Sequence, residues 1–287
     1  MRLLLFLTLL ATPLTAQTRL KALIVDGQNN HAWRETTPVL KRLIEETGRF
    51  TVEVATTPPK GGDFSSFQPR FRDYAVVVSN YNGENWPEAT LSALTSYVAG
   101  GGGFVVYHAA DNPFPDALEF NKMIGIGGWG EPQRDERSGP FWVWRDGRIT
   151  RLGAPGKAGA HGARLPFAVT LRDAKHPIAR GLPPVWMHAG DELYFRMRGP
   201  GEKMTVLATA FSDPANRGRG EHEPMLMTIA YGRGRVFHTT LGHDLPAMSC
   251  VGFIATFQRG AEWAATGKVK VKVPGDFPTA EKVSTRP

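Results

Sequence analysis

The segment from Gly100 to Asn112 carries the clearest chemical signal in this chain. Its sequence, GGGGFVVYHAADN, joins four glycines, a short apolar strand and a polar cluster that contains His108 and Asp111. In an open α/β sheet, ligands bind beyond the carboxyl ends of the strands, because the sheet holds the side chains there rigidly. We therefore expect His108 to take part in the chemistry of the protein.

Four further loops carry polar side chains that the same sheet edge could gather. They contain Asn29, Asn30, His31 and Trp33; Asn80, Tyr81 and Asn82; His188, Asp191 and Glu192; and His243 and Asp244. Histidines with carboxylates serve as general acids and bases, or as ligands of a divalent metal such as Zn²⁺. The predicted catalytic residues are His31, His108, Asp191, Glu192 and His243. The predicted substrate-binding residues are Asn30, Trp33, Tyr81, Asn82, Asp111, Asn112, Trp129, His188 and Asp244.

Several other mechanisms lack their motifs. The sequence contains no GxSxG, HExxH or CxxC pattern. The four glycines precede a strand rather than a helix, so no nucleotide cofactor is expected. Cys250, the single cysteine, lies in a loop-like segment with no strand leading into it, which argues against a cysteine nucleophile.

Tryptophans adjoin several of these loops. An aromatic ring beside amide and carboxylate side chains suits a sugar, so Trp33, Trp86, Trp129 and Trp186 could form a platform at the rim of the site. The alternative is ordinary packing in the core, which is commoner for any single tryptophan.

The elements that position these loops alternate along the first 110 or so residues. Apolar runs predict strands at Leu20–Val25, Thr51–Thr56, Ala75–Val78 and Phe104–Tyr107, with helices following Thr37-Pro38 and Pro87. Strand–helix alternation predicts a parallel sheet with right-handed crossovers. Residues 129–164 read as an insertion with a small antiparallel hairpin at Asp146-Gly147. Later strands are predicted at Phe167–Leu171, Met204–Ala210, Met225–Ala230 and Arg235–Thr240, with a final helix at Gly252–Thr266.

The first sixteen residues resemble a secretory signal. Arg2 precedes an apolar run from Leu3 to Leu10 that is too short to span a bilayer, which predicts cleavage before Gln17. We expect a periplasmic or secreted protein with no stable membrane insertion after cleavage. Its 287 residues suit one large domain, and the basic residues behind the net charge of +7 are scattered, so nucleic-acid binding is not expected.

The longer phrases of the sequence identify a family. NNHAW, NYNG, GGGFVVYHAADN, GGWG, HPIARGLP, DELY and YGRGRVFHTTLGHD resemble the ThuA-like (trehalose utilisation) family, in order from about Leu20 to Gly267. The resemblance implies an α/β fold with a flavodoxin-like, doubly wound, mainly parallel sheet of the class I glutamine amidotransferase-like type. Residues 268–287 then form a C-terminal tail. The amidotransferase cysteine is replaced around Tyr107-His108, so glutaminase activity is not implied.

The resemblance also implies a substrate class. The family is associated with trehalose and related disaccharides, through 3-keto-glycosides that a partner sugar oxidoreductase makes. A ketone at C3 acidifies the C2 proton, so a base could remove that proton and expel the substituent at C1, or catalyse isomerisation or rehydration. A protonated histidine or a metal would stabilise the enolate oxygen.

Three functions remain open from the sequence. The first is an exported enzyme on an oxidised glycoside, with His108 and either His31 or His243 transferring protons while Asp191 and Glu192 assist. The second is a metal-dependent hydrolase with His108, His188 and His243 as ligands, and the third is a non-catalytic sugar-binding protein.

Overall fold

The structure is a computed structural model that describes residues 18–128 and 139–287. The predicted signal peptide and Trp129 lie outside the described residues. Among the described residues, no helix is both long and apolar enough to cross a membrane.

Thirteen strands are assigned within the described ranges. They are β1 Leu20–Asp26, β2 Phe50–Thr56, β3 Val76–Ser79, β4 Gly103–Tyr107, β5 Phe141–Arg145, β6 Arg148–Leu152, β7 Ala160–His161, β8 Leu165–Leu171, β9 Val185–Asp191, β10 Tyr194–Phe195, β11 Met204–Ser212, β12 Glu221–Tyr231 and β13 Gly234–Thr239. The α-helices in the same ranges are α1 Trp33–Glu46, α2 Glu88–Ala99, α3 Leu118–Ile124, α4 Leu245–Met248 and α5 Val251–Thr266.

The main sheet has a parallel half and an antiparallel half. Its order is β2-β1-β3-β4-β13-β12-β11-β8-β9, and the first five strands of that order run parallel. The predicted parallel core is therefore confirmed. The finer flavodoxin-like, doubly wound classification stays a prediction.

The antiparallel part is larger than the sequence analysis predicts. From β13 to β9 every neighbouring pair is antiparallel. Only Gly232 and Arg233 separate β12 from β13, and so short a connection permits only a hairpin. The predicted hairpin at Asp146-Gly147 is present as β5 and β6, and β5 joins the sheet beside β12. The region read as a loop around His188 contains strand β9.

Helices cover both faces of the parallel half. Alternate residues of β1 enter two cores, with Ala22 and Ile24 on one side and Leu23 and Val25 on the other. The first core contains apolar residues of α1 and α5, and the second contains those of α2 and α3. Burial on both faces explains why these strands are uniformly apolar. Polar side chains can therefore be accommodated in the loops at the carboxyl ends of these strands.

Candidate functional site

Four loops bring His31, His108, Glu192 and His243 together at the carboxyl edge of the sheet. One donor atom from each of these side chains lies within 4.8 Å of every other. Oε2 of Glu192 lies 3.6 Å from Nε2 of His31, 3.6 Å from Nε2 of His108 and 3.1 Å from Nδ1 of His243. We call these four side chains the His₃Glu cluster.

His31 is held with one ring nitrogen free for the cluster. Its Nδ1 lies 3.1 Å from the Oδ1 atoms of both Asn29 and Asn30. Each amide is oriented by another bond, because Asn29 Oδ1 also accepts from the His31 backbone N–H and Asn30 Oδ1 accepts from Asn82. An oxygen can only accept, so Nδ1 carries the hydrogen and Nε2 presents a lone pair towards Glu192.

His108 is positioned by a strained turn directly after β4. Its φ is +46°, in the left-handed region that costs a non-glycine residue about 1–3 kcal/mol and that clusters at functional sites. Its Nδ1 lies 2.7 Å from the Thr240 carbonyl oxygen and must donate to it. Nε2 therefore faces the cluster, where the hydroxyl of Tyr194 also lies 2.9 Å away.

Asp191 positions the other two members of the cluster, Glu192 and His243, through hydrogen bonds to their backbone. Its Oδ1 accepts the backbone N–H groups of Glu192 and His243, at 2.8 and 3.0 Å. Its Oδ2 accepts the N–H of Gly242 and lies 2.7 Å from Nε2 of His188. The carboxylate has no exposed surface. Asp191, predicted to be catalytic, is a positioning residue because it cannot touch a substrate.

Burial and mutual contacts shift the pKa values of Glu192, His31 and His108 from those of free side chains. Burial alone would raise the pKa of Glu192, but contacts with the three histidines outweigh it and lower that pKa well below its usual range. Burial lowers the pKa of His31, which favours the neutral ring. Burial would also lower the pKa of His108, but Glu192 and Asp191 raise it above its usual value. The cluster therefore contains an ionised carboxylate among imidazoles.

This donor set fits a divalent metal ion. Three imidazole nitrogens and one carboxylate are ligands that Zn²⁺ accepts, and bonds of about 2.0–2.2 Å in a tetrahedron require donors roughly 3.3–3.6 Å apart. The three separations from Glu192 Oε2 come close to this. Nδ1 of His243 is buried and lacks a hydrogen bond in the described part of the chain. Carbonyl oxygens hold the far nitrogens of His31 and His108, an arrangement typical of metal-ligating histidines.

His188 is not part of the cluster. Its ring is fully buried, Nε2 is bonded to Asp191, and Nδ1 faces the buried Cys250. The structure therefore places His188 outside the donor set, and its fully buried ring presents no surface to a substrate. The contact with Asp191 makes it a support for the loop that carries Glu192.

Several predicted substrate-binding residues have structural partners instead. Tyr81 is fully buried and donates to the Glu84 carbonyl, so it lies in the core and not on a surface that a sugar can reach. Asp111 has no exposed surface and faces the buried His238 at 3.5 Å. Asp244 accepts the Ala247 N–H at the start of α4 and pairs with Arg164 at 2.6 Å.

Asn112 and the tryptophans of the predicted platform lie in different parts of the molecule. Asn112 is half-buried, with its Oδ1 close to Gly128. Trp86 and Trp186 are buried in the two cores, so they form no platform at a rim. Trp129 lies outside the described residues.

A cleft adjoins the His₃Glu cluster. It has a volume of about 570 Å³ and is lined by Asn30, Trp33 and Asn82, together with Lys60 and Glu84. The amide of Asn30 both contacts the ring of His31 and forms one wall of the cleft. Three residues predicted to bind substrate therefore share one surface beside the cluster.

Two residues at the site escaped the sequence analysis. His161 lies within residues 129–164, read from the sequence as an insertion, yet its Nδ1 lies 3.6 Å from Oε1 of Glu192, and its side chain is 46% exposed. Tyr194 contacts His108, and β10 pairs it with His161. Tyr194 stands two residues from Glu192 in the DELY phrase, which was the only local signal for it. No local pattern marks His161.

Comparisons with known proteins agree with this architecture. The family model for ThuA, trehalose utilisation, matches residues 21–264. The structure of a protein described as ThuA-like from Parabacteroides merdae ATCC 43184 is similar, with 46% identity, a TM-score of 0.91, and coverage of 94% of this chain and 98% of that one.

A second ThuA-like structure, from Bacteroides uniformis ATCC 8492, shares the fold at 18% identity, with a TM-score of 0.58 and coverage of 89% and 95% of the two chains. A search of curated proteins finds no match. The family match over most of the chain confirms the resemblance, and the chain belongs to the ThuA (trehalose utilisation) family.

Proposed function

We propose that this protein is a divalent-metal-dependent enzyme that acts on a disaccharide or an oxidised (3-keto) glycoside. The observation that carries the proposal is the His₃Glu cluster, whose four donor atoms lie within 4.8 Å of one another. Neighbouring oxygens orient the lone pairs of His31 and His108 towards Glu192. Such preorganisation is expected of a site that binds an ion.

The family and the cleft support a carbohydrate substrate. Trehalose utilisation is the family description, and the cleft beside the cluster offers an indole ring and amide groups, which suit a sugar. We therefore place the sugar between Trp33 and the His₃Glu cluster.

The reaction class follows from the acidity of a 3-keto sugar. A base removes the proton at C2, the electron pair moves into a C2–C3 enolate, and its collapse breaks the bond from C1 to the glycosidic oxygen. The departing oxygen takes a proton, and addition of water to the enone completes net hydrolysis. A bound divalent cation would supply Lewis-acid stabilisation of the enolate oxygen.

His161 is the imidazole beside this site that does not belong to the donor set. Its Nδ1 lies 2.9 Å from the Gly162 carbonyl oxygen and donates to it, so Nε2 is free to accept a proton. Because its side chain is half-exposed at the rim, His161 can exchange that proton with water. We assign it the transfer of the C2 proton.

Export and a partner enzyme complete the proposal. The apolar leader supports a periplasmic or secreted location, and a sugar oxidoreductase would have to supply the ketone. The protein itself needs no nucleotide cofactor in this scheme.

A metal-free acid–base enzyme is the second candidate. It is favoured by the ionised carboxylate of Glu192 in contact with three imidazoles, a pairing that could move protons without an ion. The two candidates share a substrate and differ in their need for metal.

Metal binding decides between them. The purified protein is stripped with a chelator, then titrated with Zn²⁺, Co²⁺ and Mn²⁺, and assayed on a disaccharide and its 3-keto form. We expect one ion per chain, loss of turnover on stripping and recovery on reloading. His243→Gln should weaken metal binding roughly a hundredfold or more.

The matched control is His176→Gln, a half-buried histidine that packs on Trp263 away from the cluster. It should leave metal binding unchanged. Full turnover by stripped protein would establish the metal-free candidate, and sugar binding without any turnover would make the protein a binding protein.

A further inference from the structure

We propose that the hydroxyl of Tyr194 occupies Nε2 of His108 until a metal ion displaces it, and that it then donates a hydrogen bond to the substrate oxygen on which negative charge develops. This inference rests on the proposed function, because it requires an ion at the His₃Glu cluster. It assigns Tyr194 a competing role in the metal-free protein and a catalytic role in the loaded one.

The competition follows from the two nitrogens of one ring. The Thr240 carbonyl oxygen, 2.7 Å from Nδ1 of His108, keeps a hydrogen on that atom. Only Nε2 remains for the cluster, and the Tyr194 hydroxyl lies 2.9 Å from it. An imidazole nitrogen cannot bind a metal and keep that hydrogen bond at the same time. Metal binding must therefore break the contact between Tyr194 and His108.

Tyr194 cannot move far once it is released. Its strand, β10, pairs with β7, and Tyr194 lies opposite His161 in that ladder. Tyr194 is only 7% exposed and packs in the core that contains α2 and α3. The freed hydroxyl therefore stays beside the cluster.

The hydroxyl is suited to donate and not to act as a base. The Thr240 carbonyl keeps the ring hydrogen of His108 on Nδ1, so the Tyr194 hydroxyl is the donor in its 2.9 Å contact with Nε2. The phenol therefore already carries the proton that it donates. A buried donor aimed at a developing oxyanion stabilises the transition state, and removal of one such donor typically lowers turnover about 10²- to 10³-fold. No covalent bond to Tyr194 forms or breaks in this role.

The test compares Tyr194→Phe with Tyr231→Phe. Tyr231 donates to Glu119 and lies outside the site, so it controls for the loss of a hydroxyl. Affinity for Zn²⁺ alone is measured by competition with a coloured chelator. We expect Tyr194→Phe to bind Zn²⁺ about 2- to 10-fold more tightly, because the competing hydrogen bond is gone. Water can take the place of the hydroxyl in the loaded protein, so no compensating loss is expected.

Turnover and a spectroscopic signal complete the test. Tyr194→Phe should lower kcat on the 3-keto glycoside by roughly a hundredfold. Zn²⁺ should perturb the near-ultraviolet tyrosine spectrum of the wild-type protein and of Tyr231→Phe, but not that of Tyr194→Phe. A structural role alone would weaken metal binding and turnover together.

The outcomes separate the two proposals. If the wild-type protein binds no divalent ion, both fail. If it binds Zn²⁺ while Tyr194→Phe shows equal or weaker affinity, only the present inference is overturned. Should Tyr194→Phe fail to fold, the wild-type spectrum decides, because Zn²⁺ binding without a tyrosine signal overturns the inference.

Discussion

At the scale of single residues, the site depends on one buried carboxylate that meets no substrate. Asp191 receives two hydrogen bonds on each oxygen, one from His188 of β9 and three from backbone N–H groups of the two loops that carry Glu192 and His243. Burial would raise the pKa of Asp191, but His188 and the backbone N–H of Gly242 contribute to lowering it. The ionised form thus holds two members of the cluster, Glu192 and His243, in position.

Asp191→Asn tests this dependence on both oxygens. An amide has one oxygen, so its NH₂ group must face two of the donors that Asp191 now accepts. We expect a loss of roughly 2–5 kcal/mol of stability and metal affinity lowered about 10- to 100-fold. Thermal unfolding and Zn²⁺ titration measure both effects.

The control for that change is Asp276→Asn. Asp276 is exposed and pairs with Arg286, so the change should cost less than about 1 kcal/mol and leave metal binding intact. Equal effects of the two substitutions would contradict the positioning role of Asp191.

The types of residue at the site could be predicted from the sequence, but their partners could not. His31, His108, Glu192 and His243 follow from the rule that polar side chains at the carboxyl ends of strands share an edge. Whether the Asp191 carboxylate faces the site or the protein interior depends on the direction of one side chain at the end of β9. The pairing of β7 with β10 brings His161 to the site. Each of these strands has only two residues, so the sequence shows no periodicity that could reveal them.

At the scale of elements, the turn between β13 and α4 sets the position of His243. Gly242 has φ +100°, and the rings of Phe253 and Tyr107 lie where a Cβ would project. The hydroxyl of Tyr107 also donates to the Gly242 carbonyl. Only glycine therefore permits this turn to approach β4 and α5 so closely.

Gly242→Ala and Gly147→Ala separate conformation from crowding. Both glycines have positive φ, but a Cβ at Gly147 would meet nothing within 4 Å. Each alanine should cost about 1–2 kcal/mol for the left-handed backbone, and Gly242→Ala should cost a further 1–3 kcal/mol. Urea unfolding measures the difference. Metal affinity should fall only in Gly242→Ala. An equal loss of metal affinity in both variants would show that the turn at Gly242 does not set the position of His243.

Some strands and helices could be predicted from the sequence, and others could not. Uniformly apolar strands such as β3 and β4 stand out because both of their faces are buried. β9 was missed because His188, Gly190 and Asp191 interrupt its apolar pattern, although His188 and Asp191 pair with each other in the fold. The start of α1 was placed near Thr37-Pro38 but lies at Trp33, so Pro38 falls inside the helix and not at its first turn.

At the scale of the whole molecule, the C-terminal segment covers an edge of the sheet. β9 is the last strand in the sheet order, and its Met187 N–H donates to the Thr279 carbonyl at 2.7 Å. Apolar side chains of the segment pack on the core that contains α1 and α5; they include Val269, Val273, Phe277 and Val283. Residues 268–287 therefore protect the strand that ends at Asp191.

Phe277→Ala tests whether this cover stabilises the molecule. The ring of Phe277 packs on buried Trp186, with centroids 5.5 Å apart, so its loss should cost roughly 1–3 kcal/mol. Lys272→Ala, an exposed change on the same segment, should cost under about 0.5 kcal/mol. Removal of residues 268–287 should lower the melting temperature further and cause association through the uncovered β9, visible in size-exclusion chromatography. A shortened protein that stays monomeric with unchanged melting would show that β9 needs no cover.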